Sequence, residues 1–162
     1  GMAIRFDEND VRPMGRTAAG VRAIRLKDGD EVVAAVRATD EDAAVLTVTE
    51  NGYGKRTRIG EYSVQNRGGQ GLKTYQITQK TGEIVGAKKV TGEEDILLVS
   101  DDGTIIRMEA GSISLLGRAT QGVRLMRPAE GAHVVAMART EREASEEETA
   151  EPGESAVEIT EE

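Results

Sequence analysis

Asn66-Arg67-Gly68-Gly69-Gln70-Gly71-Leu72-Lys73 has two counterparts in the chain: Gly15-Arg16-Thr17-Ala18-Ala19-Gly20-Val21-Arg22, 51 residues earlier, and Gly117-Arg118-Ala119-Thr120-Gln121-Gly122-Val123-Arg124, 51 residues later. Each copy carries an arginine near its start, then a glycine, an aliphatic residue and a second cation in the same phase. The period continues outward, because Arg5, Arg56 and Arg107 share it, as do Val11, Tyr62 and Ile113. Self-similarity at about 40–50 residues marks propeller blades or solenoid units, each of which buries its apolar face only against a neighbour. The period therefore decides the architecture, and it directs the search for function to a surface the units share.

Around the repeated loops the chain reads as all-β. Apolar, β-branched runs of strand length lie at 3–6, 21–26, 32–36, 45–49, 72–77, 84–90, 96–100, 105–108, 123–126 and 134–138. Asn51-Gly52 and Asp102-Gly103 are pairs that suit two-residue hairpins, and Asp28-Gly29, Thr81-Gly82 and Thr91-Gly92 mark further reversals. Helical periodicity is not sustained over any body segment. The expected organisation is a propeller-like β-pinwheel of three four-stranded blades: repeat 1 at 1–50, repeat 2 at 51–101, and repeat 3 at 102–139, which stops short of its fourth strand. Three blades do not close a ring, so the ragged edges predict either a homodimer that completes one or an open arc cut from a longer protein.

The formal charge of −8 resolves into two parts. Residues 140–162 hold ten Glu and one Arg, a net of −9, which leaves 20 basic and 19 acidic side chains, a net of +1, for residues 1–139. The acidic end has Pro152, Gly153 and only isolated Val157 and Ile159 as large apolar groups, so it is expected to be disordered. In the body, aromatics are scarce and Trp is absent, so the interior must be packed from aliphatic side chains. The absence of Cys excludes disulfides, thiolate metal sites and a Cys nucleophile, and it suits a reducing cytoplasm. No apolar run approaches the ~18 residues of a membrane span. The expectation is a soluble cytoplasmic protein with no membrane partner.

The glycine-flanked loops carry the most pointed chemistry. Glycine lets the backbone approach a ligand with its amides exposed, and a guanidinium beside it completes a site suited to phosphate. Arg16, Arg67 and Arg118 recur in these loops, and Arg22, Lys73 and Arg124 follow them at the same phase. Cations returning once per blade along a curved edge match the phosphate backbone of a bent duplex. The middle repeat is richest, with Lys55, Arg56, Arg58, Arg67 and Lys73 inside the nineteen positions 55–73 against the single acid Glu61 there, whereas repeat 1 has ten acids against seven bases. A DNA path would favour repeats 2 and 3.

Asn51-Gly52-Tyr53-Gly54-Lys55-Arg56-Thr57, Gln65-Asn66-Arg67-Gly68-Gly69-Gln70-Gly71 and Gly117-Arg118-Ala119-Thr120-Gln121-Gly122-Val123 together resemble the family of C-terminal domains of the bacterial DNA gyrase A subunit. The resemblance covers residues 1 to 139 in order, and the acidic end is similar to that subunit's tail. It implies the last three repeats of a six-bladed β-pinwheel that wraps double-stranded DNA around its rim in support of supercoiling. It also implies a place in a topoisomerase, an ATP-hydrolysing isomerase associated with the nucleoid. Strand cleavage and ATP hydrolysis would then belong to the remainder of the gyrase A subunit and to the gyrase B subunit. The topoisomerase IV paralogue is the nearest competitor. The family's gyrase box reads Gln, basic, Arg, Gly, Gly, basic, Gly; here Gln65, Arg67, Gly68, Gly69 and Gly71 match, while Asn66 and Gln70 replace the basic positions, as in a degenerate copy.

Plainer readings compete at several positions. Arg5, Arg56 and Arg107 lie in or beside strands, where a blade-to-blade salt bridge competes with a DNA contact. Val11, Tyr62 and Ile113 read as anchors of the loops. His133 stands alone, without companions for a metal. Asp40-Glu41-Asp42 and Glu93-Glu94-Asp95 read as solvated corners, since no EF-hand-like ligand series follows. The acidic tail reads as a solubilising appendage that could also compete with phosphate for the basic rim. The sequence offers no nucleophile–base pair, Walker loop, metal cluster or carboxylate dyad, so no catalytic residue and no cofactor is expected. The rival function is a propeller that docks a polypeptide on the same loops.

Overall fold

The structure is a computed structural model that describes residues 1–143. It is all-β. The strands are β1 (Met2–Ala3), β2 (Ala44–Thr49), β3 (Tyr53–Arg58), β4 (Leu72–Lys73), β5 (Ile84–Val90), β6 (Asp95–Ser100), β7 (Ile105–Glu109), β8 (Val123–Arg124) and β9 (Val134–Thr140). Single 3-10 turns stand at Glu8–Asp10, Ile59–Glu61 and Ala110–Ser112, once per repeat. No helix among the described residues is long and apolar enough to cross a membrane.

A blade is not one repeat. The larger sheet has the order β5-β2-β3-β8, and the next has β7-β6-β9. In both, the centre is the last strand of one repeat, flanked antiparallel by the first and third strands of the following repeat. The second strand leaves its own repeat to pair with the first strand of the repeat before, β4 with β1 and β8 with β3. The expectation of one four-stranded blade per repeat is corrected accordingly. The tight hairpins β2–β3 and β6–β7 span the repeat boundary, so the sheet boundary cannot coincide with it.

Those hairpins also differ from the expected two-residue turns. Gly52 N–H donates to the Thr49 carbonyl at 3.0 Å and Gly103 N–H to the Ser100 carbonyl at 3.0 Å, placing each glycine after the turn's two central residues. Among the described residues only glycines have positive φ, so Asn51 does not supply the left-handed residue of a type I′ turn. A turn followed by a left-handed glycine is the three-residue loop closed by a bulge.

The main core lies between the two larger sheets. Leu46, Val48 and Val90 face Ile96, Leu98 and Val134, and Ala110, Ile113 and Met126 close the cluster. Removing each large aliphatic side chain from water contributes about 1.5–3 kcal/mol, which makes this contact the main apolar cement between blades.

Repeat 1 departs most from expectation. Residues 21–26 and 32–36 form no strand, and the run at 3–6 is reduced to Met2–Ala3 plus a bridge from Arg5 to Val64. Val32 and Val33 are 62% and 48% exposed. The physical reason is pairing: β-propensity becomes a strand only beside a partner, and among the described residues no strand stands between 3–7 and 33–39 as β2 and β6 do in their blades. The runs at 72–77 and 123–126 shorten to two residues for the same reason, since their cross-blade partners offer short ladders. β9 continues to Thr140, one residue past the expected end of repeat 3; the expected disordered tail lies, from residue 144 on, outside the described residues.

Candidate nucleic-acid interface

The second and third glycine-rich loops are each fastened to the repeat before. Gly68 N–H donates to the Ala23 carbonyl at 2.8 Å, Arg25 N–H to Gly69 at 2.8 Å, and one repeat later Gln76 N–H to Thr120 at 3.1 Å. The loop arginines follow: Arg67 donates to the carbonyl of Arg22, and Arg118 to the carbonyl of Lys73 at 3.0 Å. The strand exchange thus brings Arg67 beside Arg22 and Arg118 beside Lys73, two cation pairs one repeat apart.

Arg16, Arg22, Arg58, Lys73 and Arg124 are exposed, while Arg67 and Arg118 are half-buried. A guanidinium has five N–H donors, so the carbonyl bond that fixes Arg67 or Arg118 leaves others for an anion. Lys73 sits opposite Met2, and Arg124 opposite Tyr53, in the two exchange ladders. The Arg124 guanidinium lies 4.5 Å from the centre of the Tyr53 ring and donates to its hydroxyl at 2.6 Å, while the Lys80 ammonium stands 5.5 Å from the same ring. The sequence alone does not single out Tyr53 or Lys80 as members of this surface. The one signal it holds for them is the chain's poverty in aromatics, which makes each tyrosine a rare seat for a cation.

Other expected contacts serve the fold instead. Lys55 is fully buried, and its ammonium donates to the carbonyls of Gly117 (2.8 Å), Arg118 (2.5 Å) and Thr120 (3.1 Å) and to the Thr120 hydroxyl (3.1 Å), above the ring of Tyr75. Desolvation pushes its pKa down to about 8. Such a group cannot reach a phosphate, and its expected DNA contact is corrected to a loop clamp. Arg56 is likewise a blade-to-blade tie, donating to Ile113 at 2.7 Å and Gly111 at 3.0 Å. Arg58 reaches the Asp42 carbonyl at only 3.5 Å and is otherwise open. In residues 68–71, Gln70 is exposed, but the Gly68 amide is already satisfied and the Gly71 backbone packs against Ala3, so the loop is not a free amide nest.

The acidic corners are not merely solvated. Arg5 pairs with Glu41 and holds its carboxyl below the ordinary range; Arg107 pairs with the buried Asp95 at 2.8 Å with the same effect. Tyr62 and Ile113 are buried loop anchors, whereas Val11, in the incomplete first blade, is 38% exposed. His133 Nδ1 lies 3.8 Å from Asp101, and no group of potential metal ligands occurs among the described residues. The arrangement offers fixed, partly open cations at repeat spacing, a surface for binding anions.

Comparison with known proteins agrees with the fold and the repeat. The chain matches the family described as DNA gyrase C-terminal domain, beta-propeller, over residues 1–39, 43–91 and 94–141. It is 51% identical over 141 residues to the DNA gyrase A subunit of Staphylococcus epidermidis, covering 86% of this chain and 16% of the relative. It is 49% identical over 148 residues to the Staphylococcus aureus protein, covering 89% of this chain and again 16% of the relative. A solved DNA gyrase A C-terminal domain superposes with a TM-score of 0.80 at 32% identity, covering 86% of this chain and 47% of that one. The C-terminal domain of DNA topoisomerase IV superposes with a TM-score of 0.81 at 25% identity, covering 87% and 44%. With three consecutive repeats matched and half the residues shared with gyrase relatives, this chain belongs to the DNA gyrase C-terminal domain family.

Proposed function

We propose that the chain is a duplex-DNA-binding module that wraps DNA by phosphate contacts without reading sequence, as part of a type IIA topoisomerase. The supporting observation is the doubled cation pair, Arg22 with Arg67 and Lys73 with Arg118, repeated by the strand exchange itself. We assign the contacts to Arg16, Arg22, Arg58, Arg67, Lys73, Arg118 and Arg124, with Gln70 at the loop surface. Lys55 and Arg56 support them from beneath. The rest of the gyrase A subunit and the gyrase B subunit would supply cleavage and ATP hydrolysis, and this module geometry. The greater likeness to gyrase than to the topoisomerase IV domain favours gyrase as the parent.

The test is a gel-shift series over salt with duplexes long enough to span two blades. Binding driven by counterion release loses log K with log salt at about 0.9 per phosphate neutralised. The variant Arg22→Ala, Lys73→Ala, Arg124→Ala should retain its circular dichroism spectrum, bind all sequences more weakly, and show a slope shallower by about 2.7. Absence of salt-sensitive retardation, both in the whole chain and in one ending at residue 143, would exclude wrapping and favour the polypeptide-docking alternative.

A further inference from the structure

One cluster of cations does not follow the 51-residue period. Tyr53 is 6% exposed, and around its ring stand the Arg124 guanidinium, 4.5 Å from the centre, and the Lys80 ammonium, 5.5 Å from it, both belonging to exposed residues. One period away, Tyr53 becomes Met2 or Thr104 and Lys80 becomes Gly29 or Gly131, so the middle repeat alone can build this arrangement. Both cations are held in place. Arg124 faces Tyr53 across the β3–β8 ladder and donates to its hydroxyl at 2.6 Å. Lys80 lies in a loop that the Asn51 side-chain amide fastens by donating to the Gln79 and Lys80 carbonyls at 3.2 and 3.3 Å, and that the Gly82 N–H closes on the Thr78 carbonyl at 2.9 Å. Glu50, the acid beside Gly82, accepts from the Glu83 N–H at 3.0 Å. Among the described residues neither Lys80 nor Arg124 forms an ion pair, whereas carboxylates neutralise Arg5 and Arg107.

We infer that Tyr53 is the seat of a two-cation clamp for a phosphodiester, in which Lys80 is a DNA contact outside the repeat and Tyr53 is a positioning residue. The inference rests on the DNA-binding reading for its ligand and goes beyond it in assigning these two residues. An aromatic ring attracts a cation through its quadrupole but has no formal charge, so it holds Arg124 and Lys80 without neutralising either. Like charges gathered on one ring repel each other, and an anion entering between them relieves that repulsion. The guanidinium has five donors, of which the tyrosine hydroxyl occupies one, so it retains others for phosphate oxygens, while the ammonium adds a point charge. Because the ring gathers both side chains in the free protein, less of their freedom is lost when the anion binds. The clamp thus marks one fixed point on an otherwise periodic rim, where the register of the duplex is set.

The test uses the 162-residue chain with Lys80→Gln, Tyr53→Phe and Tyr53→Leu, and with Lys27→Gln as an exposed charge control in repeat 1. In gel shifts over salt, Lys80→Gln should give a slope shallower by about 0.9, one phosphate contact, and Lys27→Gln the wild-type slope. Tyr53→Leu keeps every charge, so it should keep the slope while binding DNA about three- to tenfold more weakly, the range expected for losing two ring contacts. Tyr53→Phe keeps the ring and should recover most of that loss. Side-chain NMR reads the seat without DNA: the ring should shift the Lys80 ε-protons upfield in the wild type and in Tyr53→Phe, and they should return to the free-lysine position in Tyr53→Leu. Should Tyr53→Leu fail to fold, Lys80→Gln and the wild-type Lys80 shift decide the outcome. Equal slopes for Lys80→Gln and Lys27→Gln, wild-type affinity in Tyr53→Leu, or an unshifted Lys80 in the wild type each overturn the inference. If the wild type shows no salt-sensitive DNA binding, the DNA reading fails by itself and inorganic pyrophosphate decides the clamp. Saturable shifts of the Arg124 side chain that Lys80→Gln abolishes support it, and their absence overturns it.

Discussion

Gly122→Ala should destabilise the chain by about 3–5 kcal/mol, near the upper end of single-residue effects. Gly122 has a φ of +74°, which costs an L-residue roughly 1–2 kcal/mol. A Cβ there would also stand 2.5 Å from the Gly54 carbonyl and 2.5 Å from the Tyr75 hydroxyl, where the exchange strand β8 meets β3. Neither neighbour can yield cheaply, since Gly54 belongs to a central strand and Tyr75 is buried and bonded to the Gln121 carbonyl. Gly71→Ala meets the Ala3 backbone in the same way, 2.3 Å from its carbonyl in the equally short β1–β4 ladder, so its effect should be of similar size. Gly20→Ala is the control. Gly20 has a φ of +82° but nothing within 4 Å of its Cβ position, so only the conformational cost of about 1 kcal/mol remains. Urea denaturation of the three variants checks the order, and equal losses at Gly20 and Gly122 would show that the inter-blade contact contributes little.

Lys55→Met should cost about 2–3 kcal/mol, because it removes the donor that the loop carbonyls share: Arg118 O is left without a donor among the described residues, and Gly117 O and Thr120 O keep only the Thr120 hydroxyl and the Gln76 N–H. The Lys55 ammonium is the hub of this loop, so the same change should loosen Arg118 and weaken DNA binding more than its distance from solvent would indicate. The pH dependence has a definite sign. Folded Lys55 releases its proton near pH 8, whereas in the unfolded chain it holds it to the ordinary lysine value near 10.5. Between those values the unfolded state binds more protons, so this group makes the wild-type chain more stable as pH rises through the window. Lys55→Met lacks the effect, and its deficit relative to wild type should widen from pH 8 to 10.5. Thermal melts across that range provide the check; a gap that narrows would mean that the carbonyl cage holds the ammonium charged more firmly than burial expels it.

Lys55 is also where the linear sequence is least informative. Along the chain it is one more cation in a basic stretch, and only its position on β3, beneath the loop of the following repeat, turns it inward. Arg56 is equally ambiguous, because a strand arginine facing another blade's carbonyls has the same local sequence as one facing solvent. The opposite holds for Arg22, Lys73 and Arg124, whose phase alone assigns them to equivalent points and which share exposure in the fold. Loop residues Arg67 and Arg118 stand between, with repeat position legible in the sequence but with one donor committed to the preceding repeat.

The 51-residue period, written in glycines, aliphatics and cations, was enough to determine an all-β, modular chain with its charge divided between body and tail. Periodicity is a property of the chain itself, so it survives without any knowledge of contacts. Which strands share a sheet was decided only by the tertiary structure. The last strand of each repeat serves the next blade and the second strand serves the previous one, an exchange in which hydrogen bonds form between segments distant in sequence. That exchange turns similar local patterns into different fates: β2 and β6 become blade centres, and residues 33–39, with no strand beside them among the described residues, remain unpaired.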